Sequence, residues 1–145
     1  MLNSLPIFLL TPFVAWLVAQ GLKYIVDAIR THTLKHFREL YISGNMPSAH
    51  SATTMSLATL IGLSEGIDSV IFALAALFAA VVMYDALMVR RSVGEQGIAI
   101  RELIKATGNS REIKIPRAAK GHTPLEVAAG AVLGIAIGTI VFFAT

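Results

Sequence analysis

The sequence predicts an all-α fold, a polytopic membrane helical bundle of about four transmembrane helices with a short interfacial helix. Hydrophobic residues fill 55% of the 145 positions, and the mean hydropathy is +0.70. Charged residues make up only 14%, where a soluble domain carries about 25%. Apolar runs reach about 20 residues, enough to cross a bilayer. These features exclude a soluble enzyme, a disordered tail and a nucleic-acid-binding module. With no cysteine, disulfides, thiol catalysis and Cys-ligated zinc are excluded as well. No second domain, repeat or low-complexity tract is visible, so residues 1–145 read as a single membrane-embedded domain.

The first span runs from Leu5 to Ile29, interrupted late by Gln20, Lys23 and Asp27. No basic residue precedes Lys23 and no small-residue cleavage site follows, so it reads as a retained helix rather than a signal peptide. The second element, Pro47 to Leu63, is shorter and rich in Ser, Thr and Ala. Such small residues suit a helix packed inside a bundle, where backbones approach closely. Ser69 to Val89 is the cleanest span, broken only by Asp85. Between Gln96 and Thr107, Ile100, Leu103, Ile104 and Thr107 share a helical face away from Arg101, Glu102 and Lys105. That pattern predicts a short amphipathic helix at the interface, ended by Gly108-Asn109. Leu125 to Thr145 is the last span, with no charge after Glu126.

The charges orient this bundle. All twelve Lys and Arg lie at Lys23 and Arg30, at Lys35 and Arg38, or between Arg90 and Lys120. If the four helices cross in turn, these places share one side, and the other side holds only Glu65 and Asp68. By the positive-inside rule the basic side is cytoplasmic. The expectation is a multi-pass protein of the cell membrane with both termini outside.

Polar groups in or beside membrane helices are costly and mark sites worth explaining. Lys23, Asp27 and Arg30 share one face, as a salt-bridge ladder or as cations offered to an anion. Pro47-Ser48-Ala49-His50 opens the second helix, with Pro47 suited to the first turn. Its free N–H groups, with Ser48 and His50, form either an ordinary cap or an anion site. Asp85 lies within reach of Arg90 and reads as half of a buried ion pair. Arg90 and Arg91 sit where topology anchors are common. His122 and Glu126 are four apart, so the carboxylate can orient the imidazole. That face continues through Gly130, Gly134 and Gly138, a seam serving an intrachain contact or a homo-oligomer equally well. His32 and His36 have a zinc-compatible spacing, but no further ligand matches them, and they read as a loop feature.

These segments converge. Lys23 and Arg30, Ser48 and His50, Arg90 and Arg91, and His122 and Glu126 all fall at helix ends on one membrane side. Anchors account for the arginines but not for two histidines that each open a helix. Cations and N–H groups that hold phosphate oxygens, with two imidazoles, suit phosphoryl transfer without a metal or other cofactor.

Met46-Pro47-Ser48-Ala49-His50-Ser51-Ala52, Tyr84-Asp85-Ala86 with Val89-Arg90-Arg91, and Gly121-His122-Thr123-Pro124 with Glu126-Val127 carry a family resemblance. The chain resembles the type 2 phosphatidic acid phosphatase superfamily, which also contains the vanadium-dependent haloperoxidases, and specifically its divergent bacterial and plant branch. Lys23 and Arg30 keep the spacing of the first motif, with Thr31 in place of its proline. Ala49 replaces the glycine of the Pro-Ser-Gly-His motif, and Glu126 replaces the aspartate that follows the third motif's histidine. The arginine of that motif falls to Arg90 or Arg91 across a long insert, since Arg117 is one residue too close to His122.

The resemblance implies His122 as nucleophile, His50 as general acid and Glu126 as the residue orienting His122. It implies Lys23, Arg30, Ser48, the Ala49 N–H and one of Arg90 and Arg91 as phosphate ligands. The expected function is hydrolysis of a lipid phosphate or isoprenyl diphosphate at the cytoplasmic leaflet, with membrane lipids as partners and no nucleic acid. The alternatives are a non-catalytic binder of anionic headgroups or a partner, and a small transporter using Asp27 and Asp85. The apolar stretch Gly130–Thr145 counts against transport.

Overall fold

The computed structural model describes residues 5–31, 46–106 and 121–145, apart from the side chains of Leu5, Arg30 and Thr31. In chain order these form α1 (Leu5–Thr31), α2 (Ala49–Glu65), α3 (Val70–Tyr84), a π-helical turn (Asp85–Val89), α4 (Arg90–Ala106) and α5 (Pro124–Ala144). Among the described residues all of the regular structure is helical, and three stretches are long and apolar enough to cross a membrane: Pro6–Ile29, Val70–Ala106 and Pro124–Ala144.

α2 is the centre of the bundle, with α5, α1 and α3 packed around it. Its buried residues, Ala49, Ser51, Ala52, Ser56, Ala58, Leu60 and Ile61, are mostly small. Its hydroxyls stay inside the helix: Thr53 Oγ1 donates to the Ala49 carbonyl at 2.7 Å and Ser56 Oγ to that of Thr53 at 2.9 Å. That local bonding lets a Ser/Thr-rich helix sit in apolar surroundings. The large apolar side chains point the other way. Val70, Leu74, Leu77 and Phe78 on α3 and Val132 and Ile140 on α5 are exposed. Small residues inside and large ones outside is the pattern of helices packed in lipid.

The glycine seam of α5 is occupied by α2, with the two helices running parallel. A Cβ on Gly130, Gly134 or Gly138 would strike the carbonyl of Ser48, Ala52 or Ser56 respectively. Small residues four apart on α2 thus meet glycines four apart on α5. The seam expected to serve either an intrachain contact or a homo-oligomer makes an intrachain contact with α2.

On α1 the buried residues Thr11, Ala15, Ala19 and Lys23 form one stripe at four-residue spacing. The stripe faces the bundle, and Lys23 ends it. The reversal between α2 and α3 depends on Gly66, whose φ of 87° is open to glycine without strain. Ser69 then caps α3 by accepting the Phe72 N–H at 3.2 Å.

Two sequence expectations are corrected. The interfacial helix is not separate: α3, the π turn and α4 make one continuous helix of 37 residues. At a rise of about 1.5 Å per residue this spans about 55 Å, well beyond a hydrocarbon core of about 30 Å, so α4 projects past the bundle. Helicity survives the Arg90–Arg91 boundary because the Arg90 N–H still finds a helical carbonyl, that of Asp85. Of the expected apolar face, Ile104 is buried while Ile100 and Leu103 are exposed, and Thr107 lies outside the described residues. The second correction concerns Pro47. It precedes the cap rather than entering the first turn, and Ser48 is the N-cap of α2.

Candidate functional site

The site forms where α1 ends, α2 begins, α3 passes into α4, and α5 begins. α5 starts with a capping box. Thr123 Oγ1 accepts the Glu126 N–H at 3.3 Å, and the Thr123 N–H donates to Glu126 Oε2 at 3.0 Å. The same Oε2 lies 3.1 Å from His122 Nδ1. An ionised carboxylate only accepts, so the proton sits on Nδ1 and the lone pair on Nε2. Glu126 therefore fixes both the helix start and the tautomer of a histidine that is only 3% exposed.

Backbone contacts anchor this first turn. The Ser48 N–H donates to the Glu126 carbonyl at 3.0 Å, joining the start of α2 to α5. The His122 N–H donates to the Ala86 carbonyl at 3.1 Å, joining it to the π turn. Gly121 lies so close to the Arg91 backbone that a Cβ would collide with its Cα and N. A glycine is required there by the close approach of two backbone segments.

Around this anchor stand the cations and the second histidine. Lys23, 6% exposed, interacts electrostatically with Glu126, His122 and His50. Arg90 acts on both histidines, and Asp85 acts on His50. His50 occupies the first turn of α2 and is exposed. Burial lowers the His122 pKa from its ordinary value, and Lys23 and Arg90 push in the same direction; the hydrogen bond and charge of Glu126 oppose them. The neutral imidazole is the favoured form.

The structure thus brings together Lys23, His50, Arg90, His122 and Glu126, with the Ser48 and Ala49 backbone at the helix start. It separates the two arginines. Arg90 Nε lies 2.6 Å from Asp85 Oδ2, whereas Arg91 Nε lies 3.1 Å from Glu95 Oε1 on an exposed surface. Arg90 acts on both histidines, while Arg91 is turned to Glu95. The Asp85–Arg90 pair is not buried as expected: its side chains are 37% and 42% exposed, because it lies at the rim of the bundle. Ser48 takes the cap position, one of the two readings its sequence left open. It is fully buried, and its Oγ accepts the Ser51 N–H at 3.4 Å and the Ser51 hydroxyl at 3.0 Å.

The Arg30 side chain, Arg117, His32 and His36 lie outside the described residues, and with Arg30 goes the proposed ladder through Asp27. Among the described residues no group of three or more His, Cys, Asp or Glu is placed to hold a metal. Sequence reasoning missed the double duty of Glu126, although Thr123-x-x-Glu126 is a visible capping-box pattern. It also missed the Ala86 carbonyl, for which no side-chain signal exists.

Comparison with known proteins places this geometry in context. The family described as "Divergent PAP2 family" matches residues 6–137, a range containing every residue of the cluster. The "Uncharacterized membrane protein YuiD" of Bacillus subtilis (strain 168) is 32% identical over 149 aligned residues, covering 93% of each chain. No solved structure matches.

Proposed function

The chain belongs to the divergent PAP2 family, and from that premise we propose that it is a membrane phosphatase hydrolysing a lipid phosphate or isoprenyl diphosphate through a phosphohistidine. The observation that carries this reading is the buried His122–Glu126 pair beside His50, Lys23 and Arg90 at one end of the bundle.

In the proposed reaction His122 Nε2 attacks phosphorus, forming a P–N bond as the bond to the leaving oxygen breaks. His50 gives its proton to that oxygen. Lys23 and Arg90 offset the charge on the phosphoryl oxygens, and the Ala49 N–H, free at the helix start, donates to one of them. Glu126 holds the Nδ1 proton and stabilises the charge that develops on the ring. His50, now neutral, takes a proton from water as that water attacks phosphorus. The P–N bond breaks, phosphate leaves, and both histidines return to their starting states.

A lipid substrate is supported by an apolar groove of about 500 Å³ lined by residues including Met55, Ala58, Gly62, Phe72 and Ile135. Met55 lies five residues beyond His50, about 7.5 Å along α2. The distribution of Lys23, Arg90, Arg91, Arg101 and Lys105 against Glu65 and Asp68 supports a cytoplasmic site in the cell membrane. One observation favours the binding-protein alternative: the Ser48 hydroxyl is buried in the cap of α2.

The test is phosphate release by the detergent-purified chain over a panel of lipid phosphates. The expected release survives EDTA, falls with orthovanadate and disappears in His122→Ala. No release from any substrate, with headgroup binding unchanged in His122→Ala, overturns the catalytic reading in favour of a binding protein.

A further inference from the structure

Neighbouring side chains on an α-helix are three or four residues apart, yet Asp85 and Arg90 pair at a separation of five, with Oδ2 and Nε 2.6 Å apart. The π turn between them makes this possible, since its wider winding brings residue i+5 over residue i. The same turn alters the backbone. In an α-helix the Arg90 N–H would bond the Ala86 carbonyl; here it bonds that of Asp85. The Ala86 carbonyl is thereby released from its helical partner at i+4, and it accepts the His122 N–H at 3.1 Å. Ala86 is itself buried, and Gly121 closes directly on the Arg91 backbone. One five-residue irregularity thus aims the guanidinium and anchors the chain that carries His122.

We infer that Asp85 is a positioning residue for phosphoryl transfer, holding the Arg90 guanidinium on the phosphate while the π turn sets its distance from His122. This rests on the phosphatase reading above. Asp85 acts through Arg90 rather than on the substrate. An aspartate repels phosphate, so a direct ligand role is excluded by charge. Nε is engaged by the carboxylate, which leaves the two terminal nitrogens of the guanidinium to face oxygens of the substrate. π turns inside α-helices recur at functional sites, and this one has a stated reason to persist.

The test is a double-mutant cycle on the full chain in detergent, reading the orthovanadate inhibition constant, KM and kcat for a lipid phosphate, and Tm. Asp85→Asn is expected to weaken vanadate inhibition by about tenfold and to raise KM similarly, as for loss of a well-aimed charge-assisted contact. In an Arg90→Ala background the same substitution is expected to change vanadate inhibition less than about twofold, because the group it positions is gone. Asp85→Glu, which keeps the charge, is expected to recover most of the loss, and Asp85→Ala carries the same cycle if Asp85→Asn does not fold. Equal effects in both backgrounds, or a lower Tm with unchanged vanadate inhibition, would overturn the positioning role alone. A wild-type chain that neither releases phosphate nor binds vanadate would sink the phosphatase reading, and this inference with it.

Discussion

Glu126 Oε2 lies 3.1 Å from His122 Nδ1 and 3.0 Å from the Thr123 N–H, so one carboxylate oxygen both starts α5 and sets the histidine's tautomer. Mutation separates these hydrogen bonds from the negative charge. In Glu126→Gln the amide oxygen still accepts the Thr123 N–H, because Gln also closes a capping box. That same oxygen also accepts from Nδ1, so the tautomer is kept, but the charge that stabilises the imidazolium developing in the reaction is gone. We expect Tm within a few degrees of wild type and kcat lower by about a hundredfold or more. A comparable loss of both would mean that Glu126 serves only the fold.

The seam between α2 and α5 gives a stability prediction. An ideal Cβ on Gly134 would lie 2.9 Å from Met55 Cβ and collide with the Ala52 carbonyl. Gly134→Ala must therefore push two helices apart, a strain of about 1–3 kcal/mol. We expect a Tm several degrees lower. Gly21→Ala is the control, since an added Cβ there meets nothing within 4 Å; its Tm should be unchanged or slightly higher. Thermal denaturation of the three proteins in one detergent decides it.

The burial of His122 gives a pH dependence with a definite sign. Its folded pKa lies below the ordinary 6.5, first through desolvation and then through Lys23 and Arg90, with Glu126 opposing. Between the folded value and 6.5 the unfolded chain binds more protons, so stability falls as the pH is lowered through that interval. Above it both states are neutral and the group contributes no slope. Tm measured against pH should show this acid-side fall, and His122→Gln should flatten it. The acid limb of kcat/KM, if set by protonation of the nucleophile, should lie below pH 6.5 for the same reason.

The two adjacent arginines should behave differently. Arg90 acts on both histidines, while Arg91 pairs with Glu95 on an exposed surface. Arg90→Ala is expected to weaken orthovanadate inhibition by about tenfold or more. Arg91→Ala should leave it within about twofold, since an exposed ion pair contributes little. The reverse ranking would reassign the phosphate ligand.

Much of the bundle was legible because membrane burial acts on composition directly. Runs such as Val70–Tyr84 and the glycines of α5 announce a span and a packing face without reference to any partner. His122 and Glu126 were readable for a similar reason, as a spacing of four on one helix sets their approach. The contacts that escaped sequence reasoning depend on backbone placement. The Ala86 carbonyl accepts the His122 N–H, and Gly121 closes on the Arg91 backbone. Neither contact follows from residue type, because each joins segments distant in the chain.

By itself the sequence determined that this chain is a membrane bundle, which helix faces are small, and that two histidines and several cations gather at one end. Those outcomes follow from hydropathy and helical period, which are local. Only the tertiary structure decided that α2 fills the glycine seam, that α3 and α4 are one helix, and that Arg90 pairs with Asp85 while Arg91 pairs with Glu95. Each of these turns on where a backbone carbonyl finds its donor, as Ala86 does in His122, and such a choice is made between segments, not within one.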